Sequence, residues 1–441
     1  MNAPTVAGTA ASARPASLSA AHTRRIVISS SIGNALEWYD FLVYGFFASI
    51  IGKLFFPADD EWVSLLFAVG SFGVSFLTRP VGAIVLGMYA DRKGRKAALT
   101  LSILLMIVGT LTIAVMPTYQ QIGIVAPITI LLARLVQGFA VGGEFGSATA
   151  FMVEHSTRGR GYYASWQFAS QGLAAILASG FGALLTAALF PSELESWGWR
   201  LPFIFGLLVG PVGFYIRRHL DETPEFVAEQ KKTTVDPQAS FKAQWTNLLL
   251  AVGVVAQSTV SVYVLQLYMP TYAVKQLHLP AAQSFAVVVL NGGLQFLLSP
   301  VMGALSDRIG RIRIMLTTSA LMILLIYPMF ALLRAHPTIG ALLALQAVSG
   351  IFKAAYSGPM PALMSEIFPT RVRSTGLSLG YSLGVTLFGG FAPFIVTWLI
   401  HTTGDTLAPS YYVLTAAVVS GISLTVIALR QRKAKLAARA T

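Results

Sequence analysis

Three acids and three bases stand inside stretches that are otherwise apolar: Glu37, Asp40, Glu144, Arg79, Arg134 and Lys353. An ionised side chain facing lipid at the centre of a bilayer costs about 2.5–3.5 kcal/mol on insertion scales, so such groups must face a protein interior or a watery cavity. Equal numbers of each sign permit complete pairing. Groups that move protons or bind ions must instead be unpaired for part of a cycle. Glu37 and Asp40 are spaced i, i+3 and share one helix face. Two acids this close suit one of them to taking up and releasing a proton; the alternative is structural pairing with Arg79 or Arg134.

Arg134 presents a planar fork of donors that matches a carboxylate and does not deprotonate. Its other reading is a structural arginine. Gln137 and Glu144 lie seven residues apart on one face, and Glu144 is flanked by Gly142, Gly143 and Gly146. Glu144 is therefore a proton carrier or an ion pair at a tight helix contact. Arg79 precedes Pro80, and we read it as structural or gating. Lys353 shares a face with Ser349, Tyr356 and Ser357, ahead of Gly358-Pro359 and Pro361, which predict a break in the helix. It sits too far from either end to snorkel, so it binds a substrate carboxylate or holds a structural ion pair. Gln167, Gln171, Gln257, Tyr263, Gln266, Asn291, Gln295 and Tyr381 supply further polar groups that could complete a pocket. Each of these taken alone also reads as a helix–helix hydrogen bond.

The elements that must position these groups are membrane helices. The chain has 441 residues, 55% hydrophobic and only 11% charged, with mean hydropathy +0.68; a soluble domain carries about 25% charged residues. Apolar runs such as 97–116 and 315–333 are long enough to span a bilayer as helices. We expect an all-α membrane protein with twelve spans, at roughly 26–52, 62–89, 97–116, 122–152, 162–189, 198–216, 245–272, 281–305, 314–333, 338–365, 374–400 and 410–429.

The net charge of +13 is a topology signal. With the N-terminus inside, one side of the membrane receives only Lys53, Arg200, Lys275 and Arg334. Arg79, Arg134 and Lys353 lie within helices, and every other basic residue falls on the opposite side. That bias sets both termini in the cytoplasm and removes the case for nucleic-acid binding. Residues 1–22 read as a disordered tail without a signal-peptide core, 23–217 as one six-helix bundle, 218–244 as a cytoplasmic linker, 245–430 as a second bundle and 431–441 as a basic tail.

The two halves carry the same loop. Gly87-Met88-Tyr89-Ala90-Asp91-Arg92-Lys93-Gly94-Arg95 is echoed half a chain later by Gly303-Ala304-Leu305-Ser306-Asp307-Arg308-Ile309-Gly310-Arg311. A second pair agrees: Glu154 with Arg158 and Arg160, and Glu366 with Arg371 and Arg373. Two apolar halves with matching charged loops point to a carrier that rocks one half against the other. Asp91 and Asp307 can cap helix N-termini or hold arginines across the half interface, in networks with Glu154 and Glu366.

The doubled G-x-x-x-D-R-x-G-R loop resembles that of the major facilitator superfamily. Within it, several stretches resemble the metabolite–proton symporters: Gly33-Asn34-Ala35-Leu36-Glu37-Trp38-Tyr39-Asp40-Phe41, Arg79-Pro80-Val81-Gly82-Ala83, Arg134 to Gly138 with Gly142-Gly143-Glu144, Trp197 to Phe203, and Arg217 to Pro224. Tyr163 to Gln171 looks closest to the citrate-type carriers. The resemblance covers residues 25–430 and departs at Ile312, where a basic residue is common. It implies two pseudo-symmetric six-helix bundles, with helices 1, 4, 7 and 10 lining the cavity and the loop motifs stabilising the outward-facing state. It implies a proton-coupled symporter of a di- or tricarboxylate, with a zwitterion such as proline or betaine, or a shikimate-like acid, as the alternative.

The expected roles follow. Substrate contacts are Arg134, Lys353, Tyr356, Gln137, Gln167, Gln171, Tyr263 and Asn291. Proton coupling falls to Glu37, Asp40 and Glu144. Gating falls to Asp91, Arg92, Arg95, Asp307, Arg308, Arg311, Arg79, Glu154 and Glu366. The expected partners are an organic anion, protons and the lipid bilayer, for a monomer. No nucleotide-binding loop, clustered histidine set or cysteine occurs in the sequence, so we expect no enzyme activity, cofactor or metal. A passive channel or a membrane sensor remains as a remote alternative. A channel would need a charged ring or a re-entrant filter, and a sensor an output domain.

Overall fold

A computed structural model describes residues 20–93, 95–142, 149, 152–153, 159–208, 211–212, 244–369 and 373–440. Every regular element among them is helical. Helix α1 spans Ala20–Phe46 and, after a turn at Phe47, continues over Ala48–Phe55. Then come α2 (Glu61–Leu86), α3 (Arg95–Val115), α4 (Val125–Val141), α5 (Arg160–Ala188) and α6, which opens at Arg200–Gly206. The second half holds α7 (Trp245–Leu277), α8 (Ala281–Ile309), α9 (Arg311–Ala335), α10 (Ile339–Ile367), α11 (Thr375–Thr403) and α12 (Ala408–Ala437). Eight of these are long and apolar enough to cross a membrane by length and composition. α1, α3, α4 and α6 fill the other places of the twelve-helix plan, which the chain adopts as an all-α membrane fold of two six-helix bundles.

Local chemistry sets the boundaries. Asp60 caps α2 by accepting from the Trp62 amide at 2.8 Å, and Thr338 caps α10 by accepting from Ala341 at 3.2 Å. The loop motif turns between α8 and α9 at Gly310, whose φ of 106° only glycine adopts without strain. The helix break expected at Gly358-Pro359 is present: α10 is regular to Ser357 and resumes at Met360. Among the described residues three stretches widen to π geometry: Leu194–Gly198 just before α6, Ser261–Tyr268 in α7 and Val385–Gly390 in α11. Such widenings often mark functional positions. The final helix runs on past the apolar stretch through the basic tail to Ala440.

The bundles meet along two crossings. α5 lies against α8, and α2 against α11. The α5–α8 crossing rests on glycine pairs. A Cβ on Gly161 would stand 2.4 Å from the Gly303 carbonyl oxygen, and one on Gly292 would stand 2.8 Å from that of Gly172. The two pairs are eleven residues apart on each helix, about 16 Å of rise, so the helices stay close over a long run. On the other crossing, Phe391 packs over Gly73, Phe76 packs over Gly390, and the Thr386 hydroxyl donates to the Phe76 carbonyl at 3.0 Å.

Candidate functional site

The interior charges gather where the bundles meet. Arg134 on α4 is fully buried. Its Nη1 donates to Gln137 Oε1 at 2.8 Å and its Nη2 to Ser75 Oγ at 3.3 Å. Its guanidinium stacks over Tyr44 at 4.4 Å, Phe41 at 4.9 Å and Phe72 at 5.1 Å. Arg79 on α2 stacks over Phe76 at 4.2 Å and Phe41 at 4.7 Å. Removed from water, each guanidinium lies against aromatic faces that favour a cation. The Nε atoms of both arginines have no hydrogen-bond partner among the described residues.

One buried acid of this cluster is Asp40. Its Oδ2 accepts from the Thr110 hydroxyl on α3 at 2.6 Å. Thr110 Oγ1 in turn accepts from Gln137 Nε2 at 3.0 Å. Asp40 Oδ1 is buried without a partner and faces Gly206 of α6, where an added Cβ would stand 2.2 Å from it. Glu37, one turn earlier, is buried beside Tyr263 and Tyr381 of the opposite half.

Tyr263 enters this cluster from the π-widened stretch of α7. Its ring stacks on Trp38 at 6.2 Å and meets Phe76 and Phe72 edge-on at 5.3 and 5.7 Å. Its hydroxyl, buried near Arg79 and Arg134, has no hydrogen-bond partner among the described residues. Gly389, in the π stretch of α11, leaves the room its ring occupies; a Cβ there would stand 2.7 Å from the ring.

The second half contributes Lys353 on α10, 2% exposed. Its Nζ donates to Gln266 Oε1, and no carboxylate pairs with it among the described residues. Gln266 reaches Gln295 Oε1 at 3.4 Å, and Gln295 Nε2 donates to the Phe168 carbonyl of α5 at 2.9 Å, so this chain of amides crosses to the first bundle. Asn291 donates to Gln346 and Ser349, and Gln346 donates to the Leu265 carbonyl in the π stretch at 2.7 Å.

Several residues expected to touch substrate have their polar atoms engaged elsewhere. The Tyr356 hydroxyl donates to the Val254 carbonyl at 2.8 Å, and Gln167 Oε1 accepts from Thr149 at 2.5 Å. Gln137 serves Arg134 and Thr110. By contrast, Gln171 faces Tyr381 across the half interface with both of its amide atoms buried and not hydrogen-bonded among the described residues. Arg79, read from sequence as gating, lies in the same cluster as Tyr263. The side chains of Asp91, Arg92 and Arg95, together with Glu144 and Glu154, lie outside the described residues. Thr110, Ser75 and Gly206 carried no signal in the sequence, since single hydroxyls and glycines recur throughout apolar helices.

Both ends of the interface carry contacts between bundles. On the side of the loop motifs, Asp307 accepts from the Gly161 and Tyr162 amides, and Arg311 bridges Asp307 and Glu366. Arg308 is solvent-exposed. At the other end, Lys275 of α7 pairs with Glu61 of α2, and His401 Nε2 of α11 lies 3.4 Å from Asp60 Oδ2.

Comparison with known proteins gives a consistent result. The family profile described as sugar (and other) transporter matches residues 26–247, and that of the major facilitator superfamily matches residues 285–440. The citrate-proton symporter of Klebsiella pneumoniae is 39% identical over 89% of each chain. The proline/betaine transporter of Escherichia coli K12 is 34% identical over 91% of this chain and 82% of its own. Among solved structures, the xylose transporter of E. coli in a partially occluded inward-open conformation superposes with a TM-score of 0.74 at 15% identity, covering 91% of this chain and 97% of its own.

Proposed function

The chain belongs to the major facilitator superfamily of membrane transporters, and from that premise we propose that it is a proton-coupled symporter of a di- or tricarboxylate, working by alternating access. The relatives include both citrate-proton symporters and proline/betaine transporters. The observation that carries the carboxylate reading is the charge of the interior. Arg79, Arg134 and Lys353 are buried there, and Lys353 is held by an amide oxygen with no acid paired to it among the described residues. An anion with several carboxylates matches a site with three buried cations, and a buried cation favours it strongly at low effective dielectric.

The betaine reading asks for an aromatic cage around a quaternary ammonium. Aromatic rings are plentiful here, but guanidinium groups already stack on Phe41, Phe72, Phe76 and Tyr44, and Trp38 stacks on Tyr263. A cationic headgroup would have to displace them and would sit beside two arginines. That disfavours a zwitterion.

The substrate site is assigned to Arg79, Arg134, Lys353, Gln266 and Tyr263, and the proton to Asp40 with Glu37 as its neighbour. The cycle runs in a monomer of a bacterial inner membrane with both termini inside. Arg79 moves here from the gating role read in sequence because it shares the aromatic cluster with Tyr263. The test is uptake into vesicles under an imposed inward proton gradient, with citrate, 2-oxoglutarate, succinate, shikimate and betaine compared. Gradient-driven accumulation of a carboxylate that collapses with a protonophore is expected. Equal uptake with and without the gradient, at zero membrane potential, removes the symport reading; betaine as the preferred ligand removes the carboxylate reading.

A further inference from the structure

Three hydrogen bonds lie end to end between Arg134 and Asp40, and all three donate in one direction. Arg134 Nη1 donates to Gln137 Oε1 at 2.8 Å, Gln137 Nε2 donates to Thr110 Oγ1 at 3.0 Å, and the Thr110 hydroxyl donates to Asp40 Oδ2 at 2.6 Å. All four side chains are buried. The approach of Gln137 to α3 depends on Gly109, since a Cβ there would stand 2.5 Å from Gln137 Cγ. The run therefore has a cation at its donating end and a carboxylate at its accepting end, which polarises each bond in the same sense.

The geometry also divides the two oxygens of Asp40. Oδ2 is engaged by Thr110, whereas Oδ1 is unpartnered and faces the bare backbone of Gly206. Arg134 from α4 is the charged group facing Asp40, and Tyr39 and Glu37, one turn earlier, are the titratable neighbours on its own helix; Thr110 from α3 and Gly206 from α6 complete the surroundings. The Tyr39 hydroxyl is turned away to the Pro202 carbonyl at 2.9 Å.

We propose that Thr110 and Gln137 are the positioning residues that couple the proton site to the substrate arginine, with Oδ1 of Asp40 as the atom that takes the proton. This rests on the symport reading above. A proton arriving from water binds Oδ1 and no other bond is made or broken. The Thr110–Asp40 bond then changes from charge-assisted to neutral and loses about half its strength. The polarisation of the next two bonds falls with it, and Arg134 Nη1 is released toward an incoming carboxylate. Proton binding therefore strengthens anion binding, and by linkage the anion strengthens proton binding by the same factor.

The test separates this wire from the field of Arg134 acting through space. Thr110→Val keeps both charges and nearly the same volume but removes the hydroxyl; Thr110→Ser restores it. Infrared difference spectra of the purified protein between acid and alkaline solution need no substrate. The parent is expected to show a protonated-carboxyl band that Asp40→Asn lacks. Its frequency should move in Thr110→Val and return in Thr110→Ser. Citrate affinity is then measured across the same pH range by calorimetry. The ligand's own titration is common to every variant and cancels in the comparison. The parent should gain affinity on acidification by about tenfold beyond Thr110→Val, within the usual range of coupled sites, and Thr110→Ser should recover the gain. If Thr110→Val fails to fold, Gln137→Leu breaks the next link and serves both measurements.

An unchanged band in the hydroxyl-free variant, or an affinity profile identical to the parent's, overturns the proposal. So does the absence of any Asp40-dependent band. If the parent binds no citrate at all, the substrate reading fails while the infrared comparison still decides the relay.

Discussion

Asp307 of the second bundle caps the first turn of α5 in the first: both of its carboxylate oxygens lie 3.0 Å from the Gly161 amide nitrogen. A carboxylate at a helix N-terminus satisfies otherwise orphaned amides and meets the positive end of the helix dipole. Here the helix and the acid belong to different halves of the molecule, so the cap is also a clasp. Arg311, bonded to both Asp307 and Glu366, holds the acid in place.

Asp307→Asn keeps the shape and loses the charge. It should slow alternation while leaving substrate affinity within about twofold, because the clasp lies roughly half a membrane, near 15 Å, from the interior charges. Counterflow reports the first and calorimetry the second. Lost affinity with unchanged turnover would contradict the clasp.

Gly161 and Gly303 permit the same closure by sterics. Gly303→Ala would place a Cβ 2.4 Å from the Gly161 carbonyl oxygen, a clash of backbone that no rotamer relieves. Overpacking of this kind costs about 1–3 kcal/mol, charged here to the closed arrangement alone. The variant should open on the loop-motif side. The sequence has no cysteine, so one cysteine introduced at Ser165, beside Gly303, reports the opening by its labelling rate. A rate equal to that of the same cysteine with Gly303 intact would count against the argument.

Lys353→Ala should weaken binding of a polycarboxylate by tens-fold or more. Removing one partner of a buried charge pair costs roughly 2–5 kcal/mol, and each 1.4 kcal/mol is about tenfold. Lys353→Arg keeps the charge with a different shape and should recover part of the affinity. If Lys353→Ala binds every acid as the parent does, while its thermal melt shows a folded protein, Lys353 is structural.

Glu61 and Lys275 tie the bundles at the opposite end, but Glu61 is 64% exposed. Exposed pairs contribute about 0–1 kcal/mol. Glu61→Gln should leave the melting temperature nearly unchanged and still raise labelling of a cysteine placed at Leu267, which packs over Gly45 between α1 and α7. An unaltered labelling rate would assign the pair no part in closure.

The sequence by itself determined the solvent of each segment and therefore the class of fold. Long apolar runs have no stable form in lipid except helices, and the repeated loop around Asp91 and Asp307 carries the duplication. It also exposed Asp40, Arg79, Arg134 and Lys353, because a charge inside an apolar run stands out whatever its partners are. Partnership was not legible. Thr110 meets Asp40 across 70 residues and Gln295 meets Phe168 across 127, and nothing local distinguishes that threonine from the others in its helix. The same holds for Tyr263, whose place among Trp38, Phe72 and Phe76 depends on how two bundles dock. Periodicity reports which face of a helix is apolar. Only packing decides which residue of another helix that face meets, and so which oxygen of Asp40 faces Gly206 and which cation rests on an amide oxygen.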